Sequence, residues 1–245
     1  MNAWGKTDKG LVRTQNQDAF FIDILREEDV ALCVVCDGMG GARAGNVASE
    51  LGASVFIESI KNRLRPQMTV RYIIGAADEA VLEANTQVYA RSKMDEAYAG
   101  MGTTLVGAIV HDGEAVIVNI GDSRAYLIHP ETGIERLTRD HSVVEDLVIM
   151  GDLTKEQART HPSKNLITRA LGTEEEVECD IYHREIGEGE FLLLCSDGLT
   201  NLVEEQEILY EILHGGTADK AAARLCDLAN SRGGTDNITV VLLAF

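Results

Sequence analysis

Apolar and glycine positions alternate along this chain in a repeated device. Ala31-Leu-Cys-Val-Val-Cys36 is a run of small and apolar residues that ends in Asp37-Gly-Met-Gly-Gly41. Phe191-Leu-Leu-Leu-Cys195 runs into Ser196-Asp-Gly198, and Ala115 to Ile120 runs into Gly121-Asp122. Gly233-Gly-Thr-Asp-Asn237 stands directly before the β-prone stretch Ile238 to Phe245. Short continuous apolar runs bounded by turn residues read as strands buried on both faces. Leu11 to Asp23 reads as a further strand, interrupted by the polar stretch Arg13 to Asp18.

Two stretches change period. Asn46 to Leu64 carries Val47, Leu51, Val55, Ile57 and Ile60 at helical spacing, with Asn46 as the expected cap. Thr69 to Ala90 repeats the stripe through Ile73, Ala77, Val81, Ala84 and Val88, so two consecutive helices should pack side by side on a sheet. Leu105–Val110 and Ala115–Ile120 form a hairpin about Asp112-Gly113, and Ala125–His129 and Ile134–Leu137 continue the meander. From Ser142 to Gly172 the β pattern breaks. Ser142 to Glu145 and Thr154 to Gln157 match capping boxes, with Gly151 as a stop between them. Helices near Glu205–Leu213 and Ala218–Ser231 precede the final strand. With no alternating βαβ units, the order predicts an α+β fold with largely antiparallel sheets.

Composition narrows the class. With 245 residues and 45% hydrophobic content the chain can bury a large core, as one domain or two. A formal charge of −18 argues against nucleic acid or an anionic membrane as partner. The acidic clusters at 174–178 and 185–190 read as solvated surface. No apolar run approaches the roughly 20 residues of a membrane span, and the N-terminus lacks the apolar core of a signal peptide. Five cysteines without such a signal predict free thiols and a cytoplasmic location. Cys33 and Cys36 lie three apart on a strand and so point to opposite faces, as core residues rather than a redox pair.

The chemistry lies at the strand ends. Asp37, Asp122, Asp197 and Asp236 each sit beside glycine, which is how a fold would gather oxygen ligands for a hard cation. The glycine turn also frees the Gly38 carbonyl as an oxygen ligand. No D-x-[DN]-x-[DN]-G calcium loop is present.

Arg13-x-x-Asn16-Gln17-Asp18, Asp37-Gly-Met-Gly-Gly41, Gly100-Met-Gly-Thr-Thr104, Gly121-Asp-Ser-Arg124, Ser196-Asp-Gly198 and Asp236-Asn237 follow one another in this order. The set resembles bacterial members of the PPM family, the metal-dependent type 2C serine/threonine protein phosphatases. The resemblance spans nearly the whole chain. It implies a four-layer αββα sandwich: two antiparallel sheets, each flanked by a helix pair. Residues 1–245 would form one phosphatase domain with a small helical flap at about 142–172.

Carried over by position, the resemblance implies that Asp37 bridges two Mn²⁺ or Mg²⁺ ions. Asp197 and Asp236 would complete one ion, and the Gly38 carbonyl would bind the other. Asp18 would hold metal-bound water, Asp122 would serve a third, weaker ion with Asp197, and Arg13 would grip the substrate phosphate. A hydroxide bridging the metals would attack phosphorus in phosphoserine or phosphothreonine. The expected partners are phosphorylated proteins and an opposing serine/threonine kinase, with the phosphatase acting as a monomer. A phosphatase dedicated to one phosphorylated regulator, or a non-catalytic phosphoprotein-binding relative, are the alternatives. One departure is visible: many members carry a histidine in the loop after the glycine turn, where this chain has Ala42.

Overall fold

The computed structural model describes all 245 residues, the side chains of Ala42 and Arg43 excepted. In chain order, strands β1 (Asn2–Asp8), β2 (Asp18–Leu25) and β3 (Val30–Met39) lead to helices α1 (Gly41–Lys61) and α2 (Val70–Met94). Strands β4 (Gly102–Thr103), β5 (Leu105–His111), β6 (Glu114–Ile120), β7 (Arg124–His129) and β8 (Gly133–Arg136) follow. Short helices α3 (Val143–Met150) and α4 (Lys155–Thr160) precede β9 (Asp180–Glu185) and β10 (Phe191–Cys195). Helices α5 (Asp197–Thr200), α6 (Glu205–Leu213) and α7 (Ala221–Ser231) then lead to β11 (Ile238–Ala244).

The strands form two antiparallel sheets, ordered β1-β11-β10-β7-β8 and β2-β3-β5-β6-β9, with β4 paired to β3. The expected four layers are present, and the period of two along each strand builds them. On β3, Leu32, Val34 and Cys36 pack under α1 and α2, while Ala31, Cys33 and Val35 face the other sheet. On β11, Val240 and Leu242 pack under α6 and α7, while Val241 and Leu243 face inward. Covered on both faces, these strands must be apolar throughout, which explains the uninterrupted runs.

Several elements differ from the sequence reading. The strand expected at Leu11–Asp23 is β2, which starts only at Asp18, and residues 9–17 form a loop held by side-chain hydrogen bonds. β1 carries no apolar run, because as an edge strand it is only half covered, yet it pairs along its full length with β11. β9, also an edge, lies beside the acidic residues that read as mere surface. Helix α1 begins at Gly41 rather than Asn46 and has no side-chain cap. Gly38 and Gly45 explain the early start: a Cβ on Gly38 would overlap the Gly45 carbonyl, so strand and helix touch backbone to backbone.

In the 142–172 segment, Thr154 and Gln157 close a reciprocal capping box. Ser142 caps α3 through the Glu145 amide at 3.3 Å, but the Glu145 carboxylate turns to Arg136 at 3.6 Å. Gly151 ends α3 in the left-handed conformation that the sequence predicts (φ 83°).

Candidate active site

The same alternation that builds the inner core delivers carboxylates to one end of it. Asp37 continues the Ala31, Cys33, Val35 face of β3 and so points between the sheets, just beyond the last apolar layer. Asp18 lies directly opposite it in the β2–β3 register. From the other sheet, Ser196 and Thr239 continue the inward faces of β10 and β11. Both donate to Asp18 Oδ2, at 2.8 and 2.7 Å. Asp197 opens α5, and Asp236 sits in the loop entering β11. A Cβ on Gly198 would overlap the Asn237 carbonyl, so only glycine after Asp197 lets these two loops close on each other.

Threonines fix the backbone under Asp37. Its amide donates to Thr104 Oγ1 at 2.9 Å, and its carbonyl accepts from the Thr104 amide (2.8 Å) and Thr103 Oγ1 (2.9 Å). Thr104 Oγ1 also contacts Ser123 Oγ at 2.7 Å, which ties the Asp122 loop to the Asp37 strand. Arg124, next in the chain, grips buried Asp140 through two guanidinium nitrogens, at 3.0 and 2.7 Å. Ser123 is fully buried and so committed to structure.

A cleft of about 430 Å³ opens above. Asp37, Gly38, Asp122, Asp197 and Asp236 line it, with Arg13 and Gln17 on one side and Asn165 and Ile167 on another. Arg13 Nη2 donates to Asp236 Oδ2 at 2.7 Å, and that contact holds the guanidinium firmly charged. Asn201 Nδ2 donates to Asp197 Oδ2 at 2.8 Å.

The arrangement is electrostatically unbalanced. Burial, and behind it the neighbouring carboxylates, push Asp18 up to about 7 and hold Asp37 and Asp122 well above the ordinary carboxylate range. Asp197 is raised for the same reasons. Asp18 Oδ1 and Asp197 Oδ1 are buried without a hydrogen-bond partner among the described residues. Among the described residues, no three acidic, histidine or cysteine side chains already form a metal cage. Arg13, Asn201, Ser196 and Thr239 hold the oxygens instead. A set of carboxylates and a backbone carbonyl, with buried oxygens left over and mutual repulsion uncompensated, fits hard divalent cations.

Sequence reasoning placed Arg13, Asp18, Asp37, Gly38, Asp122, Asp197 and Asp236 in the site, and the structure brings all seven together. It did not find the role of Asn237 in holding the Arg13 loop. Asn237 Nδ2 donates to the carbonyls of Lys9 (2.8 Å) and Gln15 (2.9 Å), and its Oδ1 accepts from the Gln17 amide at 2.7 Å. Nor did it find Asn165 and Ile167 at the cleft, since neither belongs to a motif. His141 is buried and turned away: its Nδ1 accepts from the Gly121 amide (3.2 Å), and its Nε2 faces Asp180 (3.2 Å). The Ala42 side chain, at the position of the missing histidine, lies outside the described residues.

Comparison with known proteins gives the family and the fold. The family model described as Protein phosphatase 2C matches residues 12–232. This chain belongs to that family. Among curated relatives, the serine/threonine phosphatase stp of Listeria innocua is 40% identical over 99% of this chain and 95% of its own length. Among solved structures, the serine/threonine phosphatase of S. agalactiae superposes with a TM-score of 0.91 at 34% identity, covering 99% of this chain and 98% of that one. The catalytic domain of the phosphatase PstP, solved in complex with two manganese ions, superposes at 0.85 with 34% identity, covering 98% and 96%. With these TM-scores, the two sheets and their flanking helices are an architecture that this chain shares with those phosphatases.

Proposed function

We propose that this chain hydrolyses phosphoserine and phosphothreonine in proteins, using divalent cations, and opposes a serine/threonine kinase in the cytoplasm. The observation that carries the reading is the convergence of Asp37, Asp122, Asp197 and Asp236 on one cleft beside Arg13. Asp37 would be shared by two core ions, with Asp197 and Asp236 completing one and the Gly38 carbonyl serving the other. Asp18, behind them, would order water, and Asp122 with Asp197 would serve a third, weaker ion. Mn²⁺ or Mg²⁺ held there supplies positive charge against the carboxylates and makes water acidic enough to act as nucleophile at neutral pH.

The chain's own residues do the rest. Arg13 presents a planar fork to the phosphate oxygens, and its fixed charge offsets the charge that builds on phosphorus-bound oxygen in the transition state. Asp236 aims that fork at the cleft through Nη2. Ser123, Ser196 and Cys195, which lie beside the site aspartates, are not free to act as covalent nucleophiles. Ser123 is tied to Thr104, Ser196 is tied to Asp18, and burial holds the Cys195 thiol up at about 12. In this reading water attacks phosphorus directly, and a water in the cleft protonates the departing serine or threonine oxygen. Residues 1–245 act as one phosphatase domain, with 142–172 as a flap whose Asn165 and Ile167 border the cleft.

The test is phosphate release from a phosphoserine peptide and from an aryl phosphate. Turnover should require Mn²⁺ or Mg²⁺ and stop when a chelator is added. Asp37→Asn should retain less than about a hundredth of wild-type turnover while keeping its fold, since a shared ligand cannot be replaced by an amide. Metal-independent turnover, or more than about a tenth of activity left in Asp37→Asn at saturating Mn²⁺, would overturn the reading.

A further inference from the structure

A second depression of about 550 Å³ adjoins the cleft, and Thr14 and Gln15 line both. Lys9, Asn16, Asn46, Val47 and Tyr98 complete its lining. In a molecule of net charge −18, this lining contains a lysine and no carboxylate. The nearby Asp8 is engaged elsewhere, accepting from the Gly10 amide (2.9 Å) and Asn230 (3.1 Å).

The groove is built rather than incidental. Its wall shares the supports of the Arg13 loop, since the Lys9 and Gln15 carbonyls both accept from buried Asn237. Asn16 donates to Thr7 Oγ1 at 2.8 Å and accepts from the Asp18 amide at 3.2 Å. Across the groove, the Tyr98 amide and carbonyl are fixed by Asp95 (2.9 Å) and Met101 (3.1 Å), and the Arg91 guanidinium lies 4.8 Å from its ring. Asn46 Oδ1 is buried without a partner among the described residues.

We propose that this groove is a substrate subsite, taking the extended peptide that flanks the phosphorylated residue and favouring acidic side chains there through Lys9. The proposal rests on the phosphatase reading and adds to it a source of sequence preference. A phosphate held at Arg13 puts the flanking main chain over Thr14 and Gln15, and the groove is the way out on that side. Its polar walls suit a peptide backbone, and Lys9 with Tyr98 suits a carboxylate side chain next to a flat apolar surface.

The experiment compares two phosphoserine peptides that differ only in flanking residues two to four positions from the phosphoserine, acidic in one and lysine in the other. Both flanks are tried, and the readout is the ratio of their kcat/KM values. That ratio cancels any loss common to both substrates. Wild type should prefer the acidic peptide by about threefold to fivefold, the scale of one exposed ion pair. The preference should fade as salt rises. Lys9→Ala should bring the ratio near one, and Lys9→Glu should invert it. Tyr98→Ala should raise KM for both peptides without changing the ratio. A ratio that Lys9→Glu leaves unchanged on both flanks would overturn the proposal. Aryl phosphate turnover in the same preparations reports on the phosphatase reading separately. If aryl phosphate is hydrolysed and the peptide ratio ignores Lys9, only the groove assignment falls. If nothing is hydrolysed, both fall.

Discussion

At the scale of single residues, Asn237 shows how a side chain that touches no substrate can decide the geometry of one that does. Its amide satisfies three backbone groups of the 9–17 loop, and its own amide donates to Asp236 Oδ1 at 2.8 Å. Arg13 is half exposed, so besides its contact with Asp236 its position depends on the loop that these bonds, with the Leu11 and Val12 amides on the Gly234 carbonyl, hold in place. Asn237→Ala leaves backbone donors and acceptors of that loop unpaired. Each such group costs about 1–3 kcal/mol where water cannot replace the partner. Since the loop is partly solvated, we expect a stability loss of about 2 kcal/mol in urea unfolding. KM for phosphopeptides should rise more than kcat falls, because the change loosens phosphate capture and leaves Asp37 and Asp197 in place. Unchanged KM with lost stability would mean that Arg13 finds its position without the loop.

At the scale of elements, the 142–172 segment is tied through His141 at its start to the loop that carries Asp122, and its far end is tied back to His141. The His141 amide donates to the Gly121 carbonyl (2.8 Å), the Gly121 amide donates to His141 Nδ1, and the Thr168 amide donates to the His141 carbonyl (2.8 Å). Ser142 and Ile167 pair as an isolated bridge between the two ends. The body of the segment is looser: Ile149, Met150 and Leu166 are exposed. Exposed apolar side chains on short helices beside a cleft suit contact with a protein substrate. Replacing residues 144–165 with a short polar linker, with His141, Ser142, Ile167 and Thr168 kept, should lower kcat/KM for phosphoprotein substrates by about tenfold or more. Aryl phosphate turnover should change by less than about threefold. Equal losses on both substrates would show that the segment holds the Asp122 loop in place rather than selecting substrate.

At the scale of the whole molecule, two sheets meet so that carboxylates gather at one end of the sandwich, and the fold carries their repulsion there. The sign of the pH dependence follows. Asp18 is raised to about 7 by burial, against about 3.9 in an unfolded chain. Its contribution to the stability of the metal-free protein is therefore present in full below about pH 4 and is lost as pH rises through 7. Asp37, Asp122 and Asp197 are shifted in the same direction. Divalent cations must displace those protons at low pH and meet bare carboxylates at high pH. The rise in Tm on adding saturating Mn²⁺ should therefore be larger at pH 8 than at pH 6. A tenfold tighter Kd adds about 1.4 kcal/mol, or about 3–6 °C for a chain of this size. A Mn²⁺ effect that is flat or falling over this interval would mean that the ions are not held by these carboxylates.

The sequence by itself determined what depends on local pattern. Strands buried on both faces had to be continuous apolar runs, and so β3, β6, β10 and β11 were legible together with the aspartates at their ends. Helices with an apolar stripe and a polar stop were legible as well, α6 and the left-handed end of α3 among them. Only the tertiary structure decided what depends on contact across distance. β1 and β9 are edge strands whose pairing is set by a neighbour rather than by their own hydrophobicity. The early start of α1 follows from the backbone contact of Gly38 with Gly45, which no capping residue announces. The loop of Arg13 takes its shape from Asn237, more than two hundred residues away in the chain. Periodicity shows which face of a strand a carboxylate occupies. That Asp18, Asp37, Asp122, Asp197 and Asp236 share one end of the sandwich is a property of sheet order, and sheet order is set by long-range pairing.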